Sequence, residues 1–275
     1  MTMPIITISR GSYNRGKEVA EKVAQKLGYR CISREVLLEA SKEWNVPEVK
    51  LTRAIHDAPS FLYKFTYGKD KYISFIQSAL LKQLQDDNVV YHGLAGHFFL
   101  EGVSHTLKVR IIADTEERVK LVMEREGGSE KDALRVLTKD DSERRKWAEK
   151  LYGIDTSDPS LYDLVIRVRK FTVDDAAEII CQAVGMEQFK TSPESQKIMD
   201  NLTLAAEVKA ALVGVKPDIE VTAQDGVVDL NTRAPESAED QLFEKMKAIA
   251  TGISGVKEFK AHFLPISLFR LKDNK

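Results

Sequence analysis

A chain of 275 residues, 43% hydrophobic and 30% charged, holds enough apolar material for one or two well-cored domains, which excludes a disordered chain. Its 41 basic and 42 acidic residues leave a formal charge of −1, so no global field draws it to nucleic acid or to an anionic membrane, and any anion site must be local. Cys31 and Cys181 form no C-x-x-C, no charged head precedes a long apolar run at the N-terminus, and no stretch of about 18 apolar residues occurs; the expectation is a cytoplasmic protein with reduced thiols.

In chain order, "PIITIS" predicts a strand, and "KEVAEKVAQKLG" sets Val19, Val23, Ala24 and Leu27 at helical spacing until Gly28 ends the run. Between them, Gly11 to Glu18 reads G-x-x-x-x-G-K followed by Glu. A turn from strand to helix aims backbone N–H groups and the helix N-terminus at an anion, while a lysine reaches the outer phosphates. Gly11, Ser12, Tyr13, Asn14, Arg15, Gly16 and Lys17 are therefore the candidate ATP-binding loop, with Lys17 its candidate catalytic cation. Glu18 stands where a Walker A loop has the Ser or Thr that ligates magnesium, and "SYNR" lacks the glycines that let a backbone approach phosphate closely. The competing reading is a plain strand-turn-helix with a surface lysine.

A long helical region, about Arg34 to Asp87, is broken near Pro47 and Pro59 and rich in aromatics, and reads as a lid or cap. Within it Tyr63, Phe65, Tyr67 and Tyr72 either stack on a base or join the cap to the core. Strands "NVVYHGLAG" and "LKVRIIAD" follow, then the helix "TEERVKLVMEREGG", the charged helix "SEKDALRVLTKDDSERRKWAEKLYG", "DPSLYDLVIRV" and the helix "TVDDAAEIICQAVG". Strands alternating with helices predict a parallel sheet covered on both faces. His92 and His97 have no companion ligands and read as hydrogen-bonded structural histidines, so no metal site is expected.

Phosphoryl transfer depends on cations placed around the transferring group. Arg118 and Arg125 share a helix face; Asp114, four residues before Arg118, predicts an intrahelical pair, whereas no carboxylate at helical spacing explains Arg125, a candidate catalytic cation. Arg144 and Arg145 are catalytic candidates too, set against plain pairing of Asp140 with Arg144 and Asp141 with Arg145. Asp155, Asp158 and Asp163 read either as groups that orient an acceptor or the metal, or, for Asp155 and Asp158, as helix caps.

"MEQFKTSPESQK" reads as a linker, giving domains at 1–187 and 197–267 joined by 188–196. The second domain reads helix, strand, strand, helix, strand, its middle strands joined by a tight turn at Asp225 and Gly226.

Residues 5 to about 185 resemble the cytidylate kinase-like family of P-loop phosphotransferases, through "ITISR", "GKEVAEKVAQKLG", "VRIIADTEERVKLVMEREG" and above all "SERRKWAEKLYGIDTSDPSLYDLVI". The resemblance implies a nucleoside monophosphate kinase fold, a central parallel sheet with helices on both faces, ATP as donor, Mg2+, and a small nucleotide-like acceptor under the helices of residues 35–87. It implies a lid role for Arg144 and Arg145, contact of Arg34 with the acceptor phosphate, and acceptor-binding roles for Asp158 and Asp163. Aligned without gaps, Tyr13, Asn14, Arg15 and Gly16 fall against a Gly-Ser-Gly-Gly-like loop, and Lys17 falls one place beyond the lysine of a true adenylate or cytidylate kinase. Leu94 after Gly93 replaces an arginine, and Ser33 replaces an acid before Arg34. Residues 196 to about 265 resemble a BON domain, an α-β-β-α-β module associated with phospholipid or protein binding, through "DIEVTAQDGVVDLNTRAPESAEDQLFEKMKAIATGISGVKEF". Expected partners are thus nucleotides, a protein or phospholipid at the second domain, or a second copy of the chain. The alternatives are a catalytically degenerate nucleotide sensor or scaffold, and a phosphotransferase acting on a non-nucleotide metabolite.

Overall fold

Ile5, Ile6 and Ile8 are fully buried in the first strand, β1 (Ile5–Arg10), as a central parallel strand covered on both faces requires. The structure, a computed structural model, describes residues 4–33, 35–47, 69–93, 96–152 and 154–265. Around β1 the sheet runs β2 (Arg30–Ile32), β3 (Val89–His92), β1, β4 (Thr106–Ala113), β5 (Leu164–Val168), every pairing parallel. Parallel neighbours need crossovers, and helices α1 (Gly16–Leu27), α2 (Glu35–Glu43), α3 (Lys69–Leu84), α4 (Thr115–Glu126) and α5 (Glu130–Tyr152) lie in them, while α6 (Val173–Val184) follows the last strand.

The pleat of β1 divides its residues between two cores. Ile5 joins Leu80, Leu81, Leu84 and Val89 under α2 and α3, while Ile6 and Ile8 join Val23, Val109, Ile111 and Ile180 under α1 and α6. Both faces of the sheet are covered, as the alternation of elements predicts. Tyr72 is partly buried against the first core, on the side of core attachment rather than of an exposed stacking ring. Arg34, His56, Tyr63, Phe65, Tyr67 and Leu94 lie outside the described residues.

Beyond α6 a 3-10 turn (Glu187–Phe189) leads to α7 (Pro193–Leu212), then β6 (Glu220–Gln224), β7 (Val227–Ala234), α8 (Glu239–Ala250) and β8 (Glu258–Pro265). β6 and β7 form an antiparallel hairpin whose turn residues Asp225 and Gly226 have φ of 54° and 89°, the left-handed pair that a tight hairpin needs. β8 lies parallel to β7, giving the sheet order β6-β7-β8.

α7 carries apolar residues on two faces. Met199, Ala206, Ala210 and Val213 enter the core beside α3, whereas Val208 and Leu212 pack with Val228, Leu230, Met246 and Phe259 of the second sheet. No described helix is long and apolar enough to cross a membrane.

Candidate phosphate-binding site

β1 stands between β3 and β4 where the connections diverge, and open parallel sheets bind ligands outside the carboxyl ends of strands at such a point. The chain leaves β1 at Arg10 and turns into α1 through residues 11–15. Tyr13 and Arg15 hold φ of 53° and 61°, left-handed values that glycine adopts freely and other residues adopt at a cost of about 1–2 kcal/mol each. Asn14 stabilises that shape from inside. It is 3% exposed, its Nδ2 donates to the Ile111 carbonyl, and its Oδ1 accepts from Gly16 N at 3.1 Å. One of the amides at the start of α1 is thereby occupied by the chain itself.

Of the longer side chains of the loop, Arg15 and Lys17 are exposed and Tyr13 is half-buried against Val119, Val122, Ala133 and Leu137. Tyr13 donates its hydroxyl to Glu126, and that bond pushes the phenol up to about 12. Arg15 grips Glu18 at 2.9 and 3.1 Å, Arg125 stands 3.8 Å from the same carboxylate and 5.9 Å from the Tyr13 ring centroid, and Lys17 lies 3.5 Å from Glu21. Arg15, Lys17 and Arg125 thus form a surface charge cluster with Glu18 and Glu21.

Under the loop lies a cavity of about 140 Å³ lined by Arg10, Arg110, Arg118, Arg144 and Arg145, with Asp141 the one carboxylate in its described lining. That is well below the roughly 300–1,000 Å³ of clefts that enclose drug-sized ligands, so it suits the charged end of a ligand rather than the whole. Arg118 fastens the wall: Nη1 and Nη2 each donate to Asp141 at 2.8 Å, and Nε donates to the Ser12 carbonyl at 2.8 Å. Two of the intrahelical pairs expected from spacing are replaced here, while Asp140 still acts on the charge of Arg144. Asp114, extended at the start of α4, instead meets Arg167 at 2.6 Å and Arg169 at 3.2 Å, and Asp141 serves Arg118 rather than Arg145.

Arg144 donates to the Arg10 carbonyl at 3.5 Å, and burial lowers the pKa of both guanidiniums. Arg110 donates to the Thr156 carbonyl and, at 3.1 Å, to the Tyr162 hydroxyl. His97 also lines the cavity; burial, then Lys108 and Arg110, push its imidazole down to about 3, so it is neutral at pH 7. Its Nε2 is buried without a hydrogen-bond partner, unlike the bonded histidine expected from sequence.

The structure therefore brings Gly11, Asn14, Arg144 and Arg145 to one cavity and leaves Lys17 and Arg125 outside its lining. Asp158 and Asp163 are also outside it, engaged with backbone: Asp158 accepts from Ser160 N at 2.8 Å as a helix cap, and Asp163 accepts from Lys108 N at 2.7 Å. Asp155 accepts from Ser157 N at 2.9 Å. Sequence reasoning missed Arg10 and Arg110. The available signal was an arginine inside or ending an apolar strand, which needs a reason because buried charge is costly.

Comparisons with known proteins agree with this geometry. A family model described as "Cytidylate kinase-like family" matches residues 5–170. A cytidylate kinase of Archaeoglobus fulgidus is 29% identical over 191 residues, covering 67% of this chain and 97% of that protein. One of Sulfolobus acidocaldarius is 26% identical over 187 residues, with the same shares of 67% and 97%. Among solved structures, an uncharacterized protein from Eubacterium ventriosum superposes with a TM-score of 0.51 at 23% identity, covering 66% of this chain and 98% of that one, a likeness of fold.

Proposed function

Because the chain belongs to the cytidylate kinase-like family, we propose that its first unit is an ATP-dependent phosphotransferase that moves the γ-phosphoryl of MgATP to a nucleoside monophosphate or a similar small acceptor. The observation that carries this reading is the set of arginines converging on one cavity at the carboxyl ends of β1 and β4, with a single carboxylate among them. Phosphoryl transfer proceeds with charge spread over the equatorial oxygens, and preorganised cations in a poorly hydrated site stabilise it without rearranging. Arg144 and Arg145 line the cavity from α5 and would neutralise the transferring group; Arg118 joins α5 to the loop through Asp141 and the Ser12 carbonyl. Magnesium enters with the nucleotide as part of the substrate.

The test is steady-state turnover with MgATP and each nucleoside monophosphate in turn. The expected outcome is transfer to at least one acceptor, reduced about 10²–10³-fold in kcat by Arg144→Ala. No transfer to any acceptor refutes the reading.

A second reading has its own observation. Asn14 Oδ1 already occupies Gly16 N, and Glu18 stands in place of a metal-ligating hydroxyl, both of which favour a nucleotide sensor or scaffold without turnover. Nucleotide binding with no product formed would support it. For the C-terminal unit, the order α7-β6-β7-α8-β8 supports a BON-like module serving binding or assembly.

A further inference from the structure

We propose that Arg10, rather than Lys17, is the cation of this loop that contacts the donor phosphates, and so a catalytic residue. The inference rests on the phosphotransferase reading for its role in transfer, but on geometry alone for its role in holding phosphate.

Lys17 is poorly placed for the task. Its side chain is 62% exposed, its Nζ stands 3.5 Å from Glu21 one turn along α1, and it is absent from the cavity lining. Arg10 is in that lining, at the carboxyl end of the central strand and directly beneath the start of α1.

The space at Gly16 records this arrangement. A Cβ at position 16 would lie 2.7 Å from Arg10 Cβ and 3.1 Å from Arg10 Cδ, and the Gly16 backbone is not in the left-handed region that favours glycine. Glycine fits there because the Arg10 side chain, with Asn14 Oδ1 at 3.1 Å, fills the volume that a Cβ would need. In the gapless alignment Lys17 lies one place beyond the lysine of a true adenylate or cytidylate kinase, which would fall at position 16, where this chain has glycine.

Charge gives the second argument. Among the described residues no carboxylate pairs with Arg10, and its Nε is buried without a hydrogen-bond partner. The charged and titratable groups that act on it are the guanidiniums of Arg144, which shares the cavity, and Arg125, together with the Tyr91 phenol. A desolvated cation held against a like charge is costly unless an anion completes the site. A phosphate group between Arg10 and Arg144 supplies that anion.

Calorimetric titration with MgATP and with inorganic tripolyphosphate, alongside turnover, tests this on the wild type, Arg10→Met, Arg10→Lys, Lys17→Ala, Arg10→Gly and Arg10→Gly combined with Gly16→Lys. Arg10→Met is expected to lose at least about tenfold more affinity for both polyphosphates than Lys17→Ala, and about 10²–10³-fold in kcat. Arg10→Lys retains part of the affinity, and the double variant binds more tightly than Arg10→Gly alone. If Arg10→Met does not fold, Arg10→Lys and the double variant carry the comparison. Equal or greater loss in Lys17→Ala overturns the proposal, as does wild-type affinity in Arg10→Met. A wild type that binds polyphosphate through Arg10 yet transfers nothing removes the reaction and upholds this inference; one that binds neither polyphosphate removes both.

Discussion

His97 is 6% exposed, tilted against the rings of Phe98 and Tyr162 at centroid distances of 3.9 and 4.9 Å, with Lys108 and Arg110 adding positive charge nearby. Its pKa falls from 6.5 to about 3, so between these values the unfolded chain binds a proton that the folded chain refuses. Keeping this imidazole neutral costs nothing above the ordinary imidazole value; the cost grows as pH falls below it at up to about 1.4 kcal/mol per unit and levels off near the folded value. Urea unfolding at pH 7, 6 and 5 should show the wild type losing stability faster than His97→Phe, which removes this slope and leaves the carboxylate terms unchanged. A second residue-scale prediction concerns Gly16. Gly16→Ala sets a methyl 2.7 Å from Arg10 Cβ, an overlap expected to cost about 1–3 kcal/mol, measurable as a lowered melting temperature. Because the clash is with Arg10, the loss should shrink in an Arg10→Gly background, a coupling that a double-mutant cycle reads directly.

Two helices begin with reciprocal caps of very different surroundings. At α6, Thr172 and Asp175 bond each other's backbone in the open; at α7, Ser192 and Ser195 do so in a buried place, where Ser195 Oγ also lies 2.7 Å from His105 Nδ1. His105 Nε2 stands 3.2 Å from Asp87 Oδ1, and Thr191 donates to the other oxygen of Asp87 at 2.7 Å. Asp175→Ala should lower equilibrium stability only slightly, as loss of an exposed capping-box partner does. Ser195→Ala should cost about 1–3 kcal/mol more, since it orphans a buried imidazole nitrogen; equal losses by chemical denaturation would show that the His105 contact contributes nothing. The same two starts show how far sequence carries. "TVDDAAE" announces α6 within a residue, whereas Ser192 and Pro193 read as linker although they are the cap and first residue of α7. Ser-Pro marks turns and helix starts alike, and only the burial of the following face separates them. At the site, the loop is legible because strand, turn and helix are local. Its cations are not: Arg10 and Arg110 sit on strands, and Arg118 finds Asp141 across helices, 23 residues away. Spacing rules see only partners on the same helix.

At the scale of the molecule, α7 decides whether the two sheets behave as one body. Its residues Met199, Ala206 and Ala210, with Val213 at its C-cap, are in the core that holds Leu81 and Leu84, while Val208 and Leu212 complete the core under β6, β7 and β8. Cutting the chain before Pro193 would bare the apolar face of α3 and leave His105 without Ser195, so the first unit should be markedly less stable alone than in the whole chain. Both tryptophans of the sequence, Trp44 and Trp147, precede α7, and Trp44 stacks on Phe75 with ring centroids 4.6 Å apart in the first core. Tryptophan fluorescence therefore reports the first unit, and far-ultraviolet circular dichroism reports both. In urea the two signals should trace one coincident transition, because neither sheet can lose its cover without α7 and α7 cannot leave one sheet while docked on the other. Met199→Asp, which buries an unpaired charge on the α3 side, should shift both signals to lower urea together. Fluorescence falling early while the dichroism of the second unit persists would mean that α7 remains with β6–β8 and that its contact with α3 is dispensable.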